Sequence, residues 1–88
     1  MALSRAPAAA TVDRPRRLSL VDAAHAALKA RILDNRLPPG HTALEQELAD
    51  ELGMSRTPLR EALIRLVEEG LVEILPRRGI RVLPISPA

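Results

Sequence analysis

The strongest constraint on the fold is the order of features in residues 37–83, where two short apolar-periodic segments flank a glycine. The first segment ends at Gly53, and the second opens with Ser55-Arg56-Thr57-Pro58. Glycine readily adopts the left-handed conformation that ends a helix, whereas serine can cap a helix and proline is tolerated in its first turn. Two short helices joined by roughly three or four residues around a glycine are typical of a helix-turn-helix. The sequence therefore predicts this motif.

A further helix is predicted before the motif. It begins near Ser19 or Leu20, where the serine can act as the N-cap. It cannot continue through Pro38-Pro39-Gly40, because proline lacks the backbone N–H and glycine permits the positive φ of a type II turn. The buried face is predicted from the apolar residues at helical spacing, which are Leu20, Ala24, Leu28 and Ile32.

The segment after the motif predicts a β-hairpin. Residues 71–75 and 80–83 are rich in β-forming side chains, and Pro76-Arg77-Arg78-Gly79 joins them as a turn. A basic hairpin that follows a helix-turn-helix is interpreted as a wing. The predicted fold class is therefore mainly α with a small β-hairpin, a winged helix-turn-helix of three helices plus a two-stranded wing.

The 88 residues allow one small domain with an N-terminal extension. Residues 1–18 are basic, rich in alanine and interrupted by Pro7 and Pro15, which predicts a flexible arm. An organelle transit peptide has a similar composition and is the alternative. We predict the winged helix-turn-helix over 19–84, followed over 85–88 by a tail or by the start of a linker to an absent effector domain.

Positive charge is concentrated at particular places along the chain. The net charge is +2, yet residues 20–75 contain six basic and ten acidic side chains, so a polyanion must be bound locally. Arg56 and Arg60 share one face at the start of the second helix of the motif. Arginine at a helix N-terminus opposes the helix dipole, which indicates a functional role. The alternative is that Arg60 pairs with an acid of the preceding helix while Arg56 points to solvent.

Several function classes lack the residues that they need. His25 and His41 have no second metal ligand at a suitable spacing, so we expect no catalytic residues, no metal site, no cofactor and no enzymatic activity. The chain contains no Phe, Trp or Tyr, the side chains on which single-stranded nucleic acids stack. No apolar run is long enough to cross a membrane. Duplex DNA binding remains, and the alternative is a winged helix that acts as a protein–protein docking module.

A long run of residues resembles a known protein family. The run Leu48–Leu63 reads LADELGMSRTPLREAL, with Pro38-Pro39-Gly40 before it and Gly70-Leu71-Val72 and Arg78-Gly79 after it. This combination resembles the DNA-binding domain of the GntR family of bacterial transcription regulators. The wing reads Arg-Arg-Gly-Ile-Arg-Val and is more similar to the FadR-type subfamily than to members with G-x-G-T-F-V.

The resemblance implies a cytoplasmic bacterial regulator of transcription that binds double-stranded DNA sequence-specifically. Members of the family normally continue into a C-terminal domain that binds a small-molecule effector and forms the homodimer, so a palindromic operator is expected. Carried over by position, the resemblance implies base or phosphate contacts for Arg56 and Arg60, phosphate contacts for Ser55 and Thr57, a further DNA contact for Arg36, and a minor-groove wing for Arg77, Arg78 and Gly79.

Overall fold

A computed structural model describes residues 2–85 of the chain, with side chains from Arg16 onward. Three helices pack with a three-stranded antiparallel sheet, whose strand order is β1-β3-β2. In chain order the elements are α1 (Ala2–Leu33), β1 (Thr42–Ala43), α2 (Glu45–Leu52), α3 (Arg56–Glu68), β2 (Val72–Leu75) and β3 (Gly79–Val82). The predicted winged helix-turn-helix is confirmed. The short strand β1, which pairs with the outer side of the predicted hairpin, was not predicted.

Helix α1 begins at Ala2, so the start predicted near Ser19 or Leu20 is wrong. That prediction relied on Ser19 as an N-cap, whereas the helix continues through Ser19, and the alanines among the first ten residues have the highest intrinsic helix propensity. The side chains of residues 1–15 lie outside the described ones, so the flexible arm over 1–18 stays a prediction. The tail or linker also stays a prediction, because residues 86–88 lie outside the described ones.

The other end of α1 lies at Leu33, several residues before the prolines that were expected to stop it. Asn35 takes up a left-handed conformation with φ 65, which turns the chain out of the helix. Pro38-Pro39-Gly40 then forms the next corner. Gly40 has φ 85 and the His41 N–H donates to the Pro38 carbonyl at 3.0 Å, as expected for the predicted type II turn.

The core joins one face of each helix to the inner face of the sheet. In α1, Val21 is 2% exposed and Leu20 is 39% exposed, so the prediction that Leu20 is buried is wrong. Either residue fits helical spacing with Ala24, and only the packing of Val21 and Ala24 against Ala62 of α3 decides between them. The main cluster of buried residues contains Leu28, Ile32, Leu37, Ala43, Leu48, Ala49, Leu59, Leu63, Leu66, Val72, Ile80 and Val82.

Ion pairs at the edge of the core connect α1 to α3. Arg65 Nη1 donates to Asp22 Oδ1 at 2.6 Å. Farther along α1, His25 Nε2 lies 2.6 Å from Glu69 Oε2, and Lys29 Nζ lies 3.2 Å from Glu69 Oε1. An acid at the C-terminal end of a helix is unfavourable to the helix dipole, and the contacts with Lys29 and His25 offset that cost at Glu69. These pairs lie at the surface, so they only supplement the contact between α1 and α3 that the core defines.

The Glu69 contacts make part of the stability dependent on pH. Hydrogen bonding by His25, and then by Lys29, holds the pKa of Glu69 below its ordinary value of 4.5. The resulting stabilisation is present above that ordinary value and is lost as pH falls through the lower pKa of the folded state. We expect Glu69→Gln to lower the melting temperature at neutral pH. The difference in melting temperature between the variant and wild type should become smaller under acidic conditions. Glu68→Gln is the matched control, and a difference that stays constant with pH would contradict this role.

Candidate nucleic-acid interface

The turn between α2 and α3 presents the N-terminal end of α3 to solvent. Gly53 has φ 66 and ends α2, and Ser55 occupies the N-cap position of α3 with extended backbone. The Ser55 hydroxyl makes no capping hydrogen bond, although its position suggested one. Arg56 and Thr57 follow in the first turn and are exposed. Two hydroxyls and the first N–H groups of the helix therefore lie together at one accessible end, where an anion can be bound.

Arg56, Thr57 and Arg60 meet at a shallow surface depression of about 260 Å³, which Glu45 of α2 also lines. Arg56 Nη2 lies 3.9 Å from Glu45 Oε1. Among the described residues Arg60 has no ion pair. The alternative in which Arg60 pairs with an acid of α2 is therefore wrong, because the residue that approaches the acid is Arg56. The structure brings together three of the residues expected to contact DNA.

The carboxylate of Glu45 gives this depression an unusual electrostatic character. Its Oε1 atom is buried and accepts no hydrogen bond within the described part of the chain, and its side chain is only 13% exposed. The Arg56 side chain is 60% exposed, so it can extend outward while its charge remains near the acid. A carboxylate at this place repels phosphate and attracts the guanidinium. The acid therefore favours the orientation of Arg56 in which the guanidinium lies near Glu45.

The wing tip carries two exposed arginines. The Arg78 N–H donates to the Leu75 carbonyl at 3.0 Å, and Arg77 has φ 61, a conformation that is uncommon for residues other than glycine. Arg81, two positions beyond Gly79 in β3, instead donates to Glu73 Oε1 on the neighbouring strand at 2.8 Å. No acid in the described part of the chain pairs with Arg77 or Arg78. The wing therefore concentrates its uncompensated charge at the tip.

Gly79 has a packing role that the sequence did not reveal. It has φ 95, and a Cβ atom built on it would lie 2.0 Å from the Ala43 carbonyl oxygen and 2.9 Å from the Leu44 Cα. The close approach arises because Ala43 of β1 pairs with Ile80, the residue next to Gly79 on β3. Glycine is needed here so that β1 can approach the start of β3. Any role of Gly79 in binding must use its backbone.

Arg36 lies apart from the residues at α3. Its Nη2 atom lies 2.9 Å from Asp34 Oδ2, and this hydrogen bonding holds the pKa of Asp34 below its ordinary value and raises the pKa of Arg36. A DNA contact by Arg36 must therefore compete with Asp34. The depression beside it is lined by Arg31, Arg36, Leu37, His41 and Glu51, none of which lines the depression at Arg56.

Two arginines that sequence reasoning did not assign to the site lie beside the start of α3. Arg16 and Arg17, with Leu20, line a depression of about 240 Å³ whose other residues are Ser55, Thr57 and Pro58. Their basic character is visible in the sequence, but their neighbours are not. Their placement depends on α1 continuing before Ser19, where the predicted helix had its boundary.

The described part of the chain does not point to other kinds of site. Among the side chains that the structure describes, those of residues 16–85, no cluster of three or more His, Cys, Asp or Glu is placed to hold a metal ion. Among those same residues, no helix combines the length and apolar character that a membrane crossing requires.

Comparisons with known proteins agree with the fold. The model of the family described as "Bacterial regulatory proteins, gntR family" matches residues 20–82. An "Uncharacterized HTH-type transcriptional regulator in the TAR-I ttuE-ttuC' intergenic region" of Agrobacterium vitis is 53% identical over 68 residues, which are 77% of this chain and 40% of that protein. The "HTH-type transcriptional repressor RspR" of Escherichia coli K12 is 41% identical over 61 residues, which are 69% of this chain and 27% of the repressor.

A solved structure has the same fold. The structure of Escherichia coli McbR/YncC superposes with a TM-score of 0.69 and 34% identity, over 77% of this chain and 32% of that one. The chain spans 40% and 27% of the length of the two curated relatives described above. The matched family model covers residues 20–82 and includes every helix and strand of the winged helix-turn-helix except the first part of α1. The chain therefore belongs to the gntR family of bacterial regulatory proteins.

Proposed function

We propose that residues 19–84 bind double-stranded DNA sequence-specifically and serve as the DNA-binding domain of a cytoplasmic transcription regulator. The observation that carries this proposal is the convergence of Arg56, Thr57 and Arg60 at the exposed N-terminal end of α3. In a helix-turn-helix, this end of the second helix enters the major groove and contacts base edges. The resemblance to regulators such as the RspR repressor supports the same function.

Each side chain has a chemically suitable role in this proposal. The planar guanidinium groups of Arg56 and Arg60 match the two acceptors that guanine presents in the major groove. The hydroxyls of Ser55 and Thr57 donate to phosphate oxygens beside the helix N-terminus. The two arginines of the wing tip enter the minor groove or contact phosphates, and Gly79 keeps the tip attached to β1. Arg36 adds a phosphate contact when it releases Asp34.

The rest of the regulator is proposed from its family. We expect a C-terminal domain to bind a small-molecule effector and to hold two copies together, so that two α3 helices meet the two halves of a palindromic operator. The assignment to the FadR-type subfamily rests on the wing residues Arg78-Gly79-Ile80-Arg81-Val82 and is part of the proposal.

Selection of bound duplexes from a random pool, followed by titration with salt, tests this function. We expect one sequence to be enriched, and we expect its binding constant to fall steeply as salt rises, because bound cations are released from each neutralised phosphate. No enrichment, together with salt-insensitive binding of a protein partner, would instead identify a protein-docking module. The salt dependence distinguishes the two outcomes, because apolar docking releases few counterions.

The wing is expected to contribute affinity without discrimination. Replacing Arg77 and Arg78 together by alanine should weaken binding to every duplex and reduce the salt slope by about 0.9 for each phosphate that the wing no longer neutralises. The ratio between specific and random duplexes should barely change, because phosphates carry no direct sequence information. The double variant Arg31→Ala/Arg65→Ala removes the same charge from α1 and α3 and is the control. A collapsed ratio with an unchanged slope would show that the wing reads bases.

A further inference from the structure

The turn of α1 that precedes the family domain forms a second cationic surface next to α3. Arg16 and Arg17 lie outside residues 20–82, which the family model matches. With Leu20 they line the depression that Ser55, Thr57 and Pro58 complete. The arrangement joins two arginines of α1 to the two hydroxyl residues that open α3. This chain therefore places charge beside α3 from a segment that lies outside the match to the family model.

The charge of this surface is only weakly compensated. Arg17 Nε lies 4.0 Å from Glu61 Oε2, beyond hydrogen-bond distance, and the Arg17 side chain remains 57% exposed. Arg16 is exposed and has no ion pair within the described residues. No acidic residue lines the depression. The surface thus combines two cations with two hydroxyls over an apolar floor of Leu20 and Pro58.

This chemistry suits one backbone phosphate of a DNA duplex and the sugar next to it. Guanidinium and hydroxyl groups donate to phosphate oxygens, and the apolar floor can contact the sugar. A duplex that receives the start of α3 in its major groove necessarily carries its phosphates past Ser55 and Thr57, the rim of this depression. An isolated anion or an acidic peptide is also negatively charged, but α3 does not position either of them beside this depression.

We propose that Arg16 and Arg17 bind the DNA backbone beside the start of α3 and so extend the interface beyond the family domain. The inference rests on the proposed function, because it takes α3 to be the helix that enters the groove. Arg17 lies 4.0 Å from Glu61 of α3, and Arg16 has no ion pair within the described residues. Their contribution is to affinity, since phosphate contacts position a protein on DNA without reading its sequence.

The test compares Arg16→Ala/Arg17→Ala with the control Arg31→Ala/Arg65→Ala, which removes the same charge elsewhere on the full chain. The first variant should bind every duplex about tenfold more weakly, and its salt slope should fall by about one to two, at roughly 0.9 per phosphate. The control should keep the slope of the wild type. The variant Arg16→Lys/Arg17→Lys should recover most of the slope, because a phosphate accepts a point charge. Thermal unfolding by circular dichroism confirms that each variant is folded.

Several results would overturn the inference. A wild-type slope in Arg16→Ala/Arg17→Ala would show that these arginines do not touch DNA, and an equal decrease in the control would show a general effect of net charge. If Arg16→Ala/Arg17→Ala bound polyglutamate, used as an acidic polypeptide, more weakly than wild type but bound duplexes equally well, the ligand of this surface would be a protein partner. Wild-type protein that binds no duplex would overturn the proposed function together with this inference, whereas duplex binding with an unchanged variant would overturn the inference alone.

Discussion

Alanine at Arg56 or at Arg60 is expected to weaken binding to the selected duplex by about 1–3 kcal/mol per substitution. Both side chains are exposed and lie outside the core, so the fold should be unaffected. Lysine at either position should restore much of the affinity for random duplexes but not the discrimination, because it keeps the charge and lacks the planar fork that fits guanine. Fluorescence anisotropy with the selected and a scrambled duplex measures both quantities.

The control for these variants is Arg65→Ala, which removes one arginine from the same helix. Arg65 pairs with Asp22 of α1, away from the N-terminal end of α3, so the ratio between the two duplexes should stay at its wild-type value. Full affinity for the selected duplex in both Arg56→Ala and Arg60→Ala, with unchanged helical circular dichroism, would show that another surface reads the DNA.

Gly79→Ala is expected to cost about 2–5 kcal/mol of the free energy of unfolding, the largest effect on stability among the substitutions considered. A side chain at φ 95 is strained, and its Cβ would overlap the Ala43 carbonyl, so β1 must move away from β3. Urea denaturation measures the decrease in stability. The wing should become less protected in amide hydrogen exchange, because the pairing of β1 with β3 anchors it to the core.

Gly70→Ala provides the matched control for that experiment. Gly70 also has a positive φ of 77, but a Cβ atom there would meet nothing within 4 Å. Its substitution therefore isolates the backbone strain, which is about 1–2 kcal/mol. Equal decreases in the two variants would contradict the argument that close approach of β1 requires glycine at position 79.

The elements that could be predicted from the sequence depend on local backbone preferences. Gly53 ends α2 and Gly40 sets the type II turn, and both adopt the positive φ that was expected of them. Pro76 begins the turn that joins the two strands of the wing. These preferences belong to single residues or to short runs of them, so they act in the same way whatever the rest of the chain does.

Prediction failed where local preferences conflicted or gave equal choices. Ser19 favours a helix N-terminus as a capping residue, yet α1 runs through it, so the boundary near Ser19 was wrong. Leu20 and Val21 fit the helical spacing equally well, and contact with Ala62 of α3 decided which of them is buried. The two-residue strand β1 has too short a pattern to be recognised, since its pairing with β3 is what makes it a strand.

By itself, the sequence determined the winged helix-turn-helix, because turns, caps and helical periodicity arise within a few neighbouring positions. Its resemblance to the gntR family implied the group of residues expected to bind DNA. Only the tertiary structure decided how those residues are grouped. It placed Glu45 beside Arg56 and brought Arg16 to the depression at the start of α3. Such contacts join residues that are distant along the chain, and their geometry is set by the packing of the shared core.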